Sequence, residues 1–387
     1  MKRLAYLMAL GLALPAFAHP PASDAFAVKL YQALDHQPGN LALSPYSVAA
    51  AVAMAGVGAQ GQTQAELDAA LGVADSGQLA ALGAAPDPDV RVANALWVKQ
   101  GVALKDSYRA ELAERFGAKA ALLDFARPDE AARTMNDWVA AKTDGKITGL
   151  VPAASLNGDT RLVLTNAVYF KGAWHYFNKA DTDQAVFHAG PGTDETVAMM
   201  QDTDELKLAQ GDGVQVLELP YEAGGAELDV VLPNQRFGLA RLEAGLTAPE
   251  LEGWLEAAQP MPVAVSLPRF TVTGDFDLNA ALSGLGMSRA FDPAKAEFGA
   301  IADLRAGQRL FISDVLHKAY VAVDETGTEA AAATAVEVMM ATAEPPGPAV
   351  TPVTFVADHP FLFLIRAVPG GQILFMGRVD DPASGSR

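Results

Sequence analysis

The hydrophobic pattern of this chain changes character near residue 160, and that change limits the folds open to it. Before it, the segments read mainly as helix. Residues 23–72 are largely helical in pattern, and the Ala-rich run 47–55 follows Ser44-Pro45. That pair suits a helix entry, because Pro pre-sets φ and its missing N–H is not needed there. A second helix is expected after Thr63, where Thr63-Gln64-Ala65-Glu66 has the form of a reciprocal cap. Residues 92–98 read as a strand, 107–116 and 130–142 as helices, and 145–152 as an exit from the last of these. Beyond residue 160 the runs 161–170, 214–219, 227–232, 263–267, 319–323 and 361–368 are rich in Val, Leu, Phe and Tyr. Gly, Pro or Asn punctuates them, so they read as strands. Helices first and strands later predict an α+β fold with largely antiparallel sheets.

One stretch fits no element. Residues 338–353 have no period, and Glu344-Pro345-Pro346-Gly347-Pro348 forbids both a helix and a central strand. A long loop inside an otherwise regular chain is uncommon and usually functional. No Ser/Gly linker, charge block or repeat divides the sequence, so a single domain is expected over residues 19–387.

The first eighteen residues have the layout of a secretory signal peptide: Lys2 and Arg3, an apolar run over 4–17, and small residues around a cut after Ala18. Export to the periplasm or the extracellular space is therefore expected. The run is too short to span a bilayer and no later stretch of about twenty residues is free of charge, so no membrane partner is expected. The formal net charge is -18, and loss of Lys2 and Arg3 takes it to about -20. A field of that sign repels phosphate backbones, which argues against nucleic acid as a partner.

There are no cysteines, so an exported form must draw its stability from a core, and 50% hydrophobic residues suffice for one. Thiol catalysis, disulfide exchange and Cys-based zinc sites are excluded as well. The six His are scattered, with no pair at the three- or four-residue spacing of helical metal ligands. No metal or cofactor is expected.

Two motifs invite a catalytic reading. Gly56-Val57-Gly58-Ala59-Gln60-Gly61 matches the dinucleotide fingerprint by letter, but a helical run precedes it where a strand is required. It reads as a glycine-rich helix end. His317 with Ser44 or Asp314 could suggest a hydrolytic triad, but a lone His beside a strand is more often a hydrogen-bonded core residue. The chain does not read as an enzyme.

The most specific segment is Asp324-Glu325-Thr326-Gly327-Thr328-Glu329-Ala330-Ala331-Ala332-Ala333-Thr334, just before the Pro-rich loop. Other notable stretches are Asn40 to Ser47, Asn94 to Val98, Asn136-Asp137-Trp138-Val139 and Thr143 to Ile147. Leu164 to Trp174, Leu217 to Tyr221, Leu267 to Phe270, His359 to Phe363 and Leu374 to Val379 come after them in order. Together these resemble the serpins, from residue 40 to residue 379.

The resemblance implies one domain of three β-sheets and eight to nine helices, with a reactive-centre loop over about 325–352. It also implies a suicide-substrate mechanism. A target serine protease cleaves the loop, forms a covalent acyl complex, and is carried off as the loop inserts into the main sheet. By the same resemblance Glu325, Gly327, Thr328, Glu329, Ala330, Ala331, Ala332, Ala333 and Thr334 form the hinge. Ser44, Ser47, Asn166 and His317 match a polar shutter beneath the opening strands. Trp174 matches the breach where insertion begins, and Glu325 with Arg269 a salt-bridged pair at the top of the sheet. The count along the hinge sets the reactive bond at Ala341-Thr342. Extra residues before the cut would make Met340, Met339 or Ala343 the alternatives. A monomer is expected.

The residues themselves suit insertion. From residue 328, even positions read Thr328, Ala330, Ala332, Thr334, Val336, Val338, and odd positions Glu329, Ala331, Ala333, Ala335, Glu337, Met339. In a strand the two sets face opposite sides, so both charges fall on one face. No Lys or Arg lies between Glu325 and Asp358, and Ala341 offers only a methyl group as bait. Elastase-like or subtilisin-like proteases are the expected targets, not trypsin-like ones. The alternative is a non-inhibiting relative acting as a binding or chaperone protein. Such relatives tend to carry bulky, charged or Pro residues in the hinge.

Overall fold

The helix Pro45–Val57 begins at the Ser-Pro pair, with Ser44 as its N-cap accepting the Ser47 N–H at 3.1 Å. The structure is a computed structural model and describes residues 22–73, 90–211, 213–305, 307–328 and 351–384. The glycine run closes that helix: Gly58 caps its end, and the next helix, Gly61–Leu71, opens on the last glycine. No strand leads into the run, so the phosphate-cradle geometry is not built.

The expected cap at Thr63 does not form. The helix starts at Gly61, three residues before the expected Gln64, and the Gln62 and Thr63 N–H groups donate to the Glu297 carboxylate at 3.0 and 3.4 Å. Thr63 Oγ1 accepts the Glu297 N–H at 3.1 Å, while Glu66 accepts the Arg289 N–H at 2.9 Å. A partner 234 residues away replaces the local one. Tertiary context outcompetes the local cap because one carboxylate satisfies two orphan donors at once.

Eight helices are present among the described residues, counting the bent run 279–291 as one. The expected strands appear with shifted ends, among them Val90–Lys99, Leu162–Phe170, Gln259–Pro268, Ile312–Asp324 and Phe361–Ala367. The helix Ala22–Leu34 starts one residue early, and the sequence reading assigned no element to several others, among them the strands Leu41–Leu43, Lys119–Leu123, Thr182–Gly190, Thr193–Gly211, Phe270–Asp277 and Ile373–Val379 and the helices Leu239–Gly245 and Ala248–Glu256.

Thr193–Gly211 explains how the sheets divide. Its first residues, 193–200, pair with Thr182–Gly190, residues 199–208 pair with Gln259–Pro268, and its last residues, 207–211, pair with Val214–Pro220. One long strand therefore belongs to two sheet halves, and with the main sheet this makes three sheets. Its side-chain alternation breaks where the partner changes, which hides it from a period-two reading.

The main sheet positions the site. Its order is Lys119–Leu123, Val90–Lys99, Leu162–Phe170, Ile312–Asp324, with Phe270–Asp277 on the far side of the last. The pairings on either side of the central one are antiparallel, and the outermost, Lys119–Leu123 with Val90–Lys99, is parallel. The central one, from Ile312↔Leu162 to Tyr320↔Tyr169, is parallel. The core-facing row along this seam is Leu162, Leu164, Asn166, Val168 and Phe170 on one strand, and Val315, His317, Ala319, Val321 and Val323 on the other. All are buried. On the opposite face the helix Pro128–Lys142 and the turn after it cover the sheet, packing Met135, Val139, Ile147 and Val151 against Trp97, Val163 and Leu316.

Candidate functional site

Two polar residues, Asn166 and His317, interrupt the apolar row of the seam and stand opposite one another in the ladder. His317 is fully buried, and Nε2 accepts the Ser44 N–H at 3.0 Å while Nδ1 faces Asn166 Oδ1. Since Nε2 accepts, Nδ1 carries the hydrogen and the ring is neutral. Burial pushes its pKa down to about 3. Asn166 Nδ2 donates to the Ser47 carbonyl at 2.7 Å and also reaches Ser47 Oγ and Asn94 Oδ1. Ser47 Oγ in turn donates to Asn94 Oδ1 at 3.4 Å.

Ser44, Ser47, Asn166 and His317 thus meet at one point, joined by Asn94, which the sequence reading did not assign to the site. Its signal was present: Asn94 shares the phase of Val90, Val92, Leu96 and Val98 on its strand, so it had to face the core with them. Five buried polar side chains satisfying one another rigidify a seam that apolar residues alone would leave free to slip. The same geometry removes the hydrolytic triad of His317 with Ser44 or Asp314. His317 takes the backbone N–H of Ser44, whose Oγ is engaged as the helix cap. Asp314 lies three positions along the same strand, on its other face.

At the top of the sheet the seam strands part. After Asp324 the chain turns, with Thr326 N–H donating to Asp324 Oδ1 at 2.7 Å. It returns as the two-residue strand Gly327–Thr328. This pairs antiparallel with the strand it left (Val323↔Thr328, Asp324↔Gly327) and with Gly172–Ala173 on the other side (Gly327↔Ala173, Thr328↔Gly172). Gly327 sits at φ +124°, and a Cβ there would lie 2.1 Å from Gly172 O, so only glycine allows this approach.

Glu325 is buried in the turn. Arg269 Nε donates to Glu325 Oε1 at 2.7 Å, and Thr182 Oγ1 donates to the same oxygen at 2.5 Å. Burial pushes the carboxyl up, but the hydrogen bonds from Arg269, Thr182 and its own backbone outweigh this and hold it below the ordinary range. Trp174 lies alongside, donating from Nε1 to Asp324 O at 3.0 Å and from its backbone N–H to Thr326 O at 3.3 Å. Its ring stacks on Tyr221 at 5.5 Å and 4°. Tyr221 is a second residue the sequence reading left out of the site.

Glu325, Gly327, Thr328, Arg269 and Trp174 therefore come together at one end of the seam. The remaining hinge residues, Glu329 to Thr334, and the reactive-bond candidates Met339 to Ala343 lie outside the described residues.

The carboxylates of Glu218, Glu227 and Asp229 lie within 4.8 Å of one another. Protein cations occupy the space between them. Arg366 Nη2 lies 2.7 Å from Glu227 and 3.3 Å from Glu218, and Lys207 Nζ 2.8 Å from Glu218. No helix among the described residues is long and apolar enough to cross a membrane.

The family model for Serpin (serine protease inhibitor) matches residues 21–382. An uncharacterized serpin-like protein of Thermococcus kodakarensis is 37% identical over 377 residues, covering 94% of this chain and 86% of that one. The leukocyte elastase inhibitor of Bos taurus is 36% identical over 382 residues, covering 93% and 98%. The crystal structure of Serpin48, a highly specific serpin of the insect Tenebrio molitor, matches with a TM-score of 0.82 at 31% identity, covering 93% and 97%. By sequence along nearly its whole length and by fold, this chain belongs to the serpin family.

Proposed function

We propose that this protein is an irreversible suicide-substrate inhibitor of serine proteases of elastase-like or subtilisin-like specificity. Cleavage of the reactive-centre loop lets it enter the main sheet, with the acylated protease still attached. The observation that carries this reading is the seam. A parallel ladder joins Leu162–Phe170 to Ile312–Asp324, and Gly327–Thr328 already lies antiparallel to the strands on both sides at its upper end. Parallel pairing is the weaker kind. Insertion would exchange one parallel ladder for two antiparallel ones.

Residue counting supports the fit. Continued downward from Thr328↔Gly172 and Thr328↔Val323, the register sets Ala330 opposite Phe170 and Val321. Ala332 then meets Val168 and Ala319, and Val336 meets Leu164 and Val315. Small residues meet the bulkier upper row. Thr334, a hydroxyl in an otherwise apolar set, meets Asn166 and His317, where a polar cluster can receive it. Charged Glu329 and Glu337 fall on the opposite face, away from the core-facing row.

Target class rests on Ala341 in the loop, which carries no Lys or Arg. The Bos taurus relative named a leukocyte elastase inhibitor points the same way. The test is incubation of the purified protein with equimolar elastase, subtilisin and trypsin, followed by denaturing electrophoresis. Covalent complexes with the first two and none with trypsin are expected, with Thr342 beginning the C-terminal fragment released by elastase. No complex with any of several serine proteases would leave a non-inhibiting member of the fold as the better description.

A further inference from the structure

Thr328 is completely buried before any cleavage, and its hydroxyl lies 2.6 Å from that of Tyr221. We propose that Tyr221 is a positioning residue for loop insertion: its hydroxyl holds Thr328 in the sheet of the uncleaved protein, so the inserting strand is seated in advance. The proposal rests on the inhibitory reading above and adds a residue that acts through the hinge.

Tyr221 is itself held from several sides. It stacks on Trp174 at 5.5 Å, packs against Phe170 at 4.8 Å, and its backbone N–H donates to Ala226 O at 3.0 Å. Burial keeps the phenol protonated by raising its pKa. A buried hydroxyl in an aromatic cluster needs a partner. If Thr328 withdrew, the Tyr221 hydroxyl would be left among Phe170 and Trp174 with that bond unmade.

The slot is shaped for this contact. A Cβ on Gly172, the cross-strand neighbour of Thr328, would lie 2.7 Å from both the Phe170 and Tyr221 rings. Only glycine there leaves the rings in place beneath the hinge. Insertion after cleavage then extends a ladder whose first two residues are already paired, and needs no new nucleus. Its competitor is hydrolysis of the acyl-enzyme ester, which frees the protease, so a seated start favours trapping.

Tyr221→Phe deletes the hydroxyl and keeps the ring stack. Thr328→Val deletes the other hydroxyl and keeps the branched shape, while Thr328→Ser restores it. In the uncleaved protein, amide exchange over residues 324–328 should quicken about threefold to tenfold in Tyr221→Phe and in Thr328→Val. Thr328→Ser should match wild type, and the double variant should be no faster than either single one, because one bond is lost in all three. Against elastase, the same variants should need more inhibitor per protease trapped, with no slowing of the first loop cleavage. Unchanged exchange in both single variants, or additive effects in the double, would overturn the proposal. If Tyr221→Phe does not fold, the Thr328 pair decides it. If wild type traps no protease, the inhibitory reading falls, and the exchange comparison still decides whether Tyr221 holds the hinge.

Discussion

The imidazole of His317 accepts the backbone N–H of Ser44 at 3.0 Å, joining the strand Ile312–Asp324 to the first turn of a helix 273 residues earlier in the chain. That bond exists only while the ring is neutral. Protonation of Nε2 would turn an acceptor into a donor facing a donor.

The resulting pH dependence has a definite sign. Burial moves His317 from its ordinary value of 6.5 down to about 3, so the unfolded chain binds this proton more readily than the native one. The contribution is complete above pH 6.5 and is lost as the pH falls toward 3. Urea midpoints measured from pH 7.5 to pH 4 should fall for wild type and fall less for His317→Gln. Equal slopes would show that other groups carry the acid sensitivity.

Asp314 carries the opposite sign. Burial, and then the nearby Asp277 charge, raise its carboxyl to about 6. Its charged form therefore weakens the fold increasingly as the pH rises from about 4 through 6. Asp314→Asn should stabilise the uncleaved protein by about 1–2 kcal/mol at pH 7.5, after discounting for solvent screening, and make little difference at pH 4. Counting along the inserted register sets Glu337 beside Asp314, so the gain at pH 7.5 should be larger in the loop-cleaved form. Thermal melts of both forms at the two pH values check this.

Thr328→Arg should convert the inhibitor into a substrate. The position is wholly enclosed beside Gly172 and Tyr221, and an unpaired guanidinium cannot be accommodated there without a large desolvation cost. Elastase should still cut the loop while the covalent band disappears. An undiminished yield of complex would show that residue 328 need not be held in the sheet for trapping.

Cutting the loop once near residue 341 should raise the melting temperature well above that of the intact protein, the reverse of the usual effect of a backbone break. Two antiparallel ladders in place of one parallel ladder supply the reason. Differential scanning calorimetry before and after a single cut gives the comparison. An equal or lower melting temperature would mean that the loop stays outside the sheet.

Wherever neighbours in sequence carry the physical cause, this protein is legible from its residues alone. Ser44-Pro45 starts a helix because the cap and the preset φ are adjacent, and the apolar run ending at Phe170 is a strand because a strand needs only its own side chains to be recognised. The phase of Glu329 and Glu337 against Thr328, Thr334 and Val336 is likewise a local property, set by a repeat of two. The tertiary structure decided everything that depends on partners far along the chain. Thr63 has a carboxylate cap, but it is Glu297 and not the expected Glu66. Asn94 and Asn166 belong to one cluster with His317 because three separate elements converge on a seam. Thr193–Gly211 is one strand although its alternation breaks, because it leaves Thr182–Gly190 after residue 200 and takes Val214–Pro220 from residue 207. Tyr221 lies beneath Thr328 for the same reason. A hydrogen bond between residues 107 positions apart depends on where two sheets bring their ends together, and no pattern within either segment records that distance.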